Sequence, residues 1–358
     1  MRAVLNLPSI VPLLGASTLA LVSAGIGLHP VIVALVVGAS VLAAVYHAEL
    51  IAHRVGEPFG TFLLAVAVTV IEVGLIVSII QADPVGGASL ARDTVMAAIM
   101  IILGGVTGAC LLVGGIRHGE QRYRQSGVSA ALATLAALSV ITLILPNHVT
   151  SVTGPLYAPA QLAFVGFVSL ILYATFVLVQ TVRHRDYFLP ASDSAPLPKD
   201  VHAPPPSDRA AWASAGLLVV SLVSIVFLAK ALAPTVEAAV ASVGAPKALV
   251  GVIIAGIVLL PEGLAAVRAA RLNRLQTSLN LALGSALATI GLTIPVVAAI
   301  AILSDWQLVL GVNGTNEVLL ALTLLVATLS LSTGRTTIMQ GVLHLVLFGI
   351  FLFMLVVP

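Results

Sequence analysis

The sequence predicts an all-α polytopic membrane protein of about eleven transmembrane helices, one extra helix followed by two inverted five-helix repeats. Three observations predict it. Hydrophobic residues make up 59% and charged residues 8% of the chain, at a mean hydropathy of +1.15, far from the composition of a water-soluble domain. Apolar runs long enough to cross about 30 Å of hydrocarbon recur throughout. Finally, basic residues gather at alternate ends of those runs, as they do in chains that cross a bilayer repeatedly.

Taken in order, the predicted spans are 8–28, 30–50, 59–81, 91–116, 128–146, 157–181, 211–233, 246–268, 276–303, 315–332 and 336–357. The first follows a single Arg2 and has no small-residue cleavage site, so it reads as a retained span rather than a leader. The first two are parted at Leu28-His29-Pro30, and the orientation of everything later depends on that break. With the N-terminus on the cytoplasmic side, thirteen basic residues fall inside: Arg2, Arg54, Arg117, Arg122, Arg124, Arg183, Arg185, Lys199, Arg209, Arg268, Arg271, Arg274 and Arg335. Only Arg92, Lys230 and Lys247 then fall outside, a strong positive-inside bias. An odd number of spans leaves the C-terminus in the periplasm. The Arg-rich, Lys-poor composition points to a bacterial inner membrane. The single cysteine, Cys110, excludes an intrachain disulfide and a thiolate metal cluster.

Between residues 183 and 210 the chain turns polar and Pro-rich, ending in Ala203-Pro204-Pro205-Pro206-Ser207, and reads as a flexible cytoplasmic linker. The expected organisation is an extra N-terminal helix at 1–28, a first repeat at 29–182, the linker at 183–210 and a second repeat at 211–358. Five spans per half is an odd number, so the second half enters the membrane with opposite orientation, the plan of many secondary transporters.

The two halves carry one buried acid each. Glu72 sits in the middle of its span, and Glu262, beside Pro261, lies inside the second span of the other half. A carboxylate at that depth costs at least about 2.5 kcal/mol by insertion scales unless it meets a polar cavity, a partner or a proton. Two at related positions weigh against a purely structural hydrogen-bonding role for either. Pro261 removes an amide donor and frees a carbonyl nearby. Thr69 lies one turn before Glu72, and Asn280, Ser285 and Thr289 follow in the span after Glu262, which gives an oxygen-rich set of acids, hydroxyls, an amide and carbonyls. Such donors suit a hard cation, Ca²⁺ or Na⁺ and K⁺, better than zinc. Glu72 and Glu262 are thus the expected cation and proton ligands. Burial favours their protonated form when the site is empty, and a bound cation displaces the protons. Each acid-bearing span precedes one rich in small residues, with Gly104, Gly105, Gly108, Gly114 and Gly115 in one and Gly284, Ser285 and Gly291 in the other, which lets helices approach closely. His53 and Glu57 at the cytoplasmic mouth and Glu237 near the periplasmic one are candidates for gating or proton relay, and equally for solvated end residues. His344, alone in the last span, reads as a packing or hydrogen-bonded residue.

Several stretches resemble the ChaA-type calcium/proton antiporters of the cation/calcium exchanger superfamily. Ala52-His53-Arg54-Val55-Gly56-Glu57-Pro58-Phe59-Gly60-Thr61 and Val68-Thr69-Val70-Ile71-Glu72-Val73 are similar to that family's first repeat. Pro261-Glu262, Ala266-Val267-Arg268-Ala269-Ala270-Arg271 and Asn280 with Gly284-Ser285 resemble its second. The resemblance implies one plus five plus five spans, and alternating-access exchange of Ca²⁺, and in this subgroup often Na⁺ or K⁺, for H⁺. It implies that Glu72 and Glu262 are the cation-binding acids and Glu57 the cytoplasmic-side acid. Thr69 and Leu259 stand where plant and fungal members carry asparagine, so a Na⁺/H⁺ or K⁺/H⁺ antiporter with weak Ca²⁺ transport is the alternative.

The expected function is therefore a proton-coupled antiporter that exports Ca²⁺ from the cytoplasm. It needs no cofactor, and its partners are the lipid bilayer, inorganic cations and protons, with no nucleic acid. An enzyme is not expected, since the chain has no His-Glu-x-x-His zinc pair, no Gly-x-Ser-x-Gly elbow and one cysteine. A passive channel is disfavoured because paired carboxylates hold a divalent ion too tightly for fast release.

Overall fold

A computed structural model describes residues 7–56, 59–82, 87–189, 206–242, 244 and 246–357, the side chains of 59–65 and 82 excepted. Among them run eleven long helices: α1 (Leu7–Ser23), α2 (Pro30–Val55), α3 (Phe59–Ala82), α4 (Leu90–His118), α5 (Gln125–Asn147), α6 (Pro159–Arg183), α7 (Asp208–Ser242), α8 (Ala248–Arg271), α9 (Leu275–Leu303), α10 (Gly314–Ser330) and α11 (Ile338–Val356). Eight are long and apolar enough to cross a membrane, and Leu7–Ser23, Val66–Gln81 and Gly314–Ser330 are shorter apolar helices. The protein is a polytopic helical membrane protein, as the composition predicts.

The break between the first two helices is built from local chemistry. Gly25, at φ +79°, takes the left-handed conformation, and the Ile26 and Gly25 amides donate to the carbonyls of Leu21 and Val22. That closes α1 earlier than the expected residue 28. Pro30 then occupies the first turn of α2, where its missing amide hydrogen costs nothing, and His29 caps it through a Val31 N–H to Nδ1 bond of 3.3 Å. Gly56, at φ +76°, ends α2.

The chain forms two compact units, Met1–Gly87 with Asp200–Val250 and Ala88–Lys199 with Gly251–Pro358. Each takes helices from both halves of the chain. In the first unit, α1, α2, α3 and α7 pack together. Gly15 of α1 faces Ser40 of α2 and Ser224 of α7 so closely that an added Cβ would lie 2.9 Å from the Ser40 Oγ. The buried His47 of α2 bridges the Ser214 hydroxyl on α7 and the Pro8 carbonyl on α1, each at 3.1 Å.

The second unit shows an exchange of partners between the halves. The glycine ridge of α4, the third helix of the first half, lies against α11, the fifth of the second: an added Cβ on Gly104 would meet Phe348, on Gly108 Leu345 and on Gly115 Ile338. Reciprocally, Gly291 of α9 lies against Tyr173 of α6. The loops repeat the exchange. Gln121–Arg122, between α4 and α5, pair antiparallel with Arg335–Thr336 between α10 and α11, and Leu156, between α5 and α6, bridges Val309 between α9 and α10. Reciprocal contacts of this kind are what two five-helix halves related by a two-fold axis produce.

Both α4 and α9 carry a π-helical turn about midway, Ile101–Val106 and Thr289–Thr293, and α5 carries another at Val140–Ile144. A π-turn misaligns carbonyls from the helix ladder, and in lipid these must find other donors. The Leu103 carbonyl lies 2.5 Å from Nδ1 of the buried His344, whose Nε2 meets the Ser330 hydroxyl at 2.8 Å. The Tyr157 hydroxyl donates to the Ile141 carbonyl at 2.6 Å, and the Val312 amide to that of Leu143 at 2.9 Å. His344 is thus a hydrogen-bonded packing residue that ties α4, α10 and α11 together.

His344→Leu is expected to leave the Leu103 carbonyl and the Ser330 hydroxyl unmatched, at a cost of about 1–3 kcal/mol, read as a lowered thermal unfolding midpoint of the detergent-solubilised protein. Gly104→Ala drives a Cβ to 2.8 Å from Phe348 Cβ and 3.2 Å from the His344 carbonyl oxygen, so it is expected to destabilise by about 1–3 kcal/mol in the same measurement. Gly38→Ala, with nothing within 4 Å of the new methyl group, is expected to be neutral or stabilising.

Candidate functional site

In the first unit, α3 is buried on nearly its whole circumference from Ala67 to Ile80, with Val66 and Val70 facing outward. Glu72 is only 2% exposed and Thr69, one turn earlier, is buried on the same side. The acid is therefore turned into protein rather than toward acyl chains. Two residues on, Gly74 brings α3 against α7: an added Cβ would stand 2.5 Å from Val226 Cγ2. Ser78 spends its hydroxyl on the Gly74 carbonyl at 2.7 Å. Gly74, two positions on, points to a different face of α3 from Glu72, and its small size lets α7 approach closely there.

Glu262 lies in α8, in the second unit, and is half-buried, as are its neighbours Pro261 and Gly263. The helix runs alongside α4: Gly251 contacts the Asp93 backbone and Gly263 faces Val106, where an added Cβ would be 3.3 Å from Cγ2. Through Gly263, its neighbour, Glu262 lies near the level of the α4 π-turn, which ends at Val106. The Pro261 ring leaves α8 continuous from Ala248 to Arg271.

The expected supporting residues divide. Thr289 is buried and opens the π-turn of α9, and Ser285 is half-buried one turn earlier. Asn280 is engaged elsewhere: its Nδ2 donates to the Phe188 carbonyl at 2.6 Å and its Oδ1 accepts from Gln276 Nε2 at 2.9 Å. Asn280 and Gly284 do share a face, and it surrounds the buried Phe188. The start of the polar segment is thereby clamped, since Arg185–Phe188 form a 3₁₀ turn held against α5 and α9, with the Tyr187 carbonyl 2.5 Å from where a Gly127 Cβ would be. Residues 190–205 of the expected linker lie outside the described residues, as does Glu57. His53 is exposed in the last turn of α2, beside Arg54, which pairs with Asp208 at the start of α7. Glu237 is half-buried near the far end of α7, one turn past Pro234.

Sequence reasoning missed two polar features. Thr94 and Thr107 on α4 bury hydroxyls that have no hydrogen-bond partner among the described residues, and only their place on a glycine-rich helix could have drawn attention to them. A network on one face of the second unit also escaped notice. There His148 and Asn147 meet Glu317 at 3.0 and 3.1 Å, Asn147 donates to the Val312 carbonyl, and Arg92 holds both Asp93 and the Gly311 carbonyl. It stitches the loops after α5 and α9 to the start of α4.

The sodium/calcium exchanger protein family profile matches residues 19–182 and 213–357, two stretches that flank the polar segment. The chain is 48% identical over 354 residues to a protein of Sinorhizobium fredii named as an ionic transporter, y4hA, covering 98% of this chain and 95% of that one. It is 34% identical over 313 residues to the sodium-potassium/proton antiporter ChaA of Escherichia coli, covering 87% and 84%. Its fold is similar to that of YfkE, a Ca²⁺/H⁺ antiporter, at a TM-score of 0.73 and 16% identity over 98% of this chain and 99% of the other. With both halves matched and the expected helices in place, the chain belongs to the sodium/calcium exchanger protein family, within the cation/calcium exchanger superfamily of membrane antiporters.

Proposed function

We propose that this protein is a proton-coupled cation antiporter that exports Ca²⁺ from the cytoplasm in exchange for H⁺ by alternating access, with Glu72 and Glu262 taking up either the cation or protons. The observation that carries the reading is the placement of Glu72, an acid in the middle of α3 and 2% exposed on a helix whose outward strip is apolar. A charge is costly to keep in hydrocarbon, so on this reading the acid holds a proton in the absence of a cation and gives it up when one arrives. Competition for the same carboxylates is enough to couple the two flows in opposite directions. Two acids balance one divalent charge. Thr69, Ser285 and Thr289 supply neutral oxygens, and Pro261 loosens the ladder near Glu262. The names of ChaA and YfkE, as proton-coupled antiporters, support the coupling.

A second reading, Na⁺/H⁺ or K⁺/H⁺ exchange with weak Ca²⁺ transport, is favoured by a specific observation. The Asn280 amide is spent on Phe188 and Gln276, which thins the donor set for an ion that takes six to eight oxygens. The 34% identical relative named for sodium, potassium and protons favours the same reading. We place the protein in a bacterial inner membrane with its N-terminus cytoplasmic. Among the described residues of the second unit, Arg117, Arg122, Arg124, Arg183, Arg185, Arg268, Arg271, Arg274 and Arg335 lie toward the face of the Gln121–Thr336 pairing, against Arg92 on the other. On this reading His53 and Glu57 stand at the cytoplasmic mouth, and Glu237 near the periplasmic end.

In inverted vesicles, Glu72→Gln and Glu262→Gln are each expected to abolish cation-driven dequenching of a pH-gradient dye while the protein still inserts; full activity in either variant contradicts the assignment. Titrating the wild type separately with Ca²⁺, Na⁺ and K⁺ separates the two readings, because Ca²⁺ export requires the lowest half-maximal concentration for Ca²⁺. Asn280→Ala is expected to cost about 1–3 kcal/mol of stability through the unmatched Phe188 carbonyl, with that half-maximal concentration unchanged if Asn280 is no ligand.

A further inference from the structure

The last turns of α4 and α8 meet on one face of the second unit, where His118 Nε2 lies 3.1 Å from the Arg271 carbonyl. Beside that contact is a cavity of about 440 Å³ lined by Arg117, Arg268 and Arg271 together with Leu264, Val267 and Leu272. Among the described residues the lining contains no acid. None of the three arginines is ion-paired among the described residues, and Glu120, three positions after Arg117, is taken by Arg335 at 3.3 Å. Leu264 and Leu272 are both 60% exposed.

We propose that this cavity binds an anionic phospholipid of the surrounding leaflet, its phosphate held by Arg117, Arg268 and Arg271 and its acyl chain lying along Leu264 and Leu272. Charge decides the sign of the ligand. Two helix C-termini bring about half a negative charge each, which three guanidinium groups outweigh by about two positive charges. A cavity so charged repels a transported cation and attracts an anion. Position decides its source. The site lies at the ends of membrane-crossing helices, level with the headgroups, and it combines a cationic floor with an apolar wall open to the side. Arginine's planar fork matches phosphate oxygens, and a volume of this size accommodates a small-molecule headgroup. Snorkelling would explain one arginine at each helix end, but not three from two helices around a shared hollow. Basic pockets between membrane helices recognise acidic headgroups in this way.

The test is native mass spectrometry of the purified full-length protein in detergent, titrated with phosphatidylglycerol and, separately, with phosphatidylcholine. The wild type is expected to bind phosphatidylglycerol more tightly, and its Kd to rise about fivefold in Arg117→Gln and about 25-fold in the Arg268→Gln/Arg271→Gln pair, following about 1 kcal/mol per basic residue. Arg122→Gln, on the same face but outside the cavity, should retain wild-type binding. Equal affinity for the two lipids, unchanged binding in the cavity variants, an equal loss in Arg122→Gln, or complete displacement of the lipid by inorganic phosphate at matched concentration would each overturn the proposal. Arg117→Gln reports from the other helix should the paired variant not fold.

Discussion

A polar group removed from water must be matched inside the protein, and in a chain with 59% hydrophobic residues that constraint shapes the fold. It explains why the mid-helix π-turns coincide with tertiary contacts. His344 reaches across to the Leu103 carbonyl, Tyr157 to Ile141 and the Val312 amide to Leu143. The irregularities of α4 and α5 are thus anchored by donors from other helices or loops. The same accounting applies to Glu72, which is only 2% exposed and so turned into the protein.

The reciprocal packing in the second unit fits the proposed repeat. When α4 lies on α11 and α9 on α6, each half contributes its third helix to a groove formed by the other's last helix. The loop pairings Gln121–Thr336 and Leu156–Val309 obey the same exchange. Glycine marks both grooves because lipid offers no hydrophobic drive, and van der Waals contact at close range must hold the helices together.

Much of this was legible from residues alone, and what was not has physical causes. Spans are set by apolar length, so every one of the helices begins within a few residues of its expected place, although α2 runs on to Val55 and α7 to Ser242, beyond the expected 50 and 233. The C-terminus of α1 is set instead by Gly25, whose left-handed conformation a hydropathy window cannot see. The π-turns were invisible because they depend on donors such as His344, 241 residues away from Leu103 in the chain. Asn280 read as a ligand because a buried amide needs partners, a sound inference that could not know its partner would be the Phe188 carbonyl in a segment of polar composition. The inward orientation of Glu72 was foreseeable from the cost of the alternative.

The central claim is that Glu72 and Glu262 accept either a cation or protons and never both. The most direct measurement is the number of protons released when Ca²⁺ binds the purified protein in weakly buffered solution, followed by titration calorimetry in buffers of different ionisation enthalpy. The account predicts release of about two protons per Ca²⁺ bound at a pH where the empty site is protonated, falling toward one when either acid becomes glutamine. Tight Ca²⁺ binding with no proton release at any pH would contradict it.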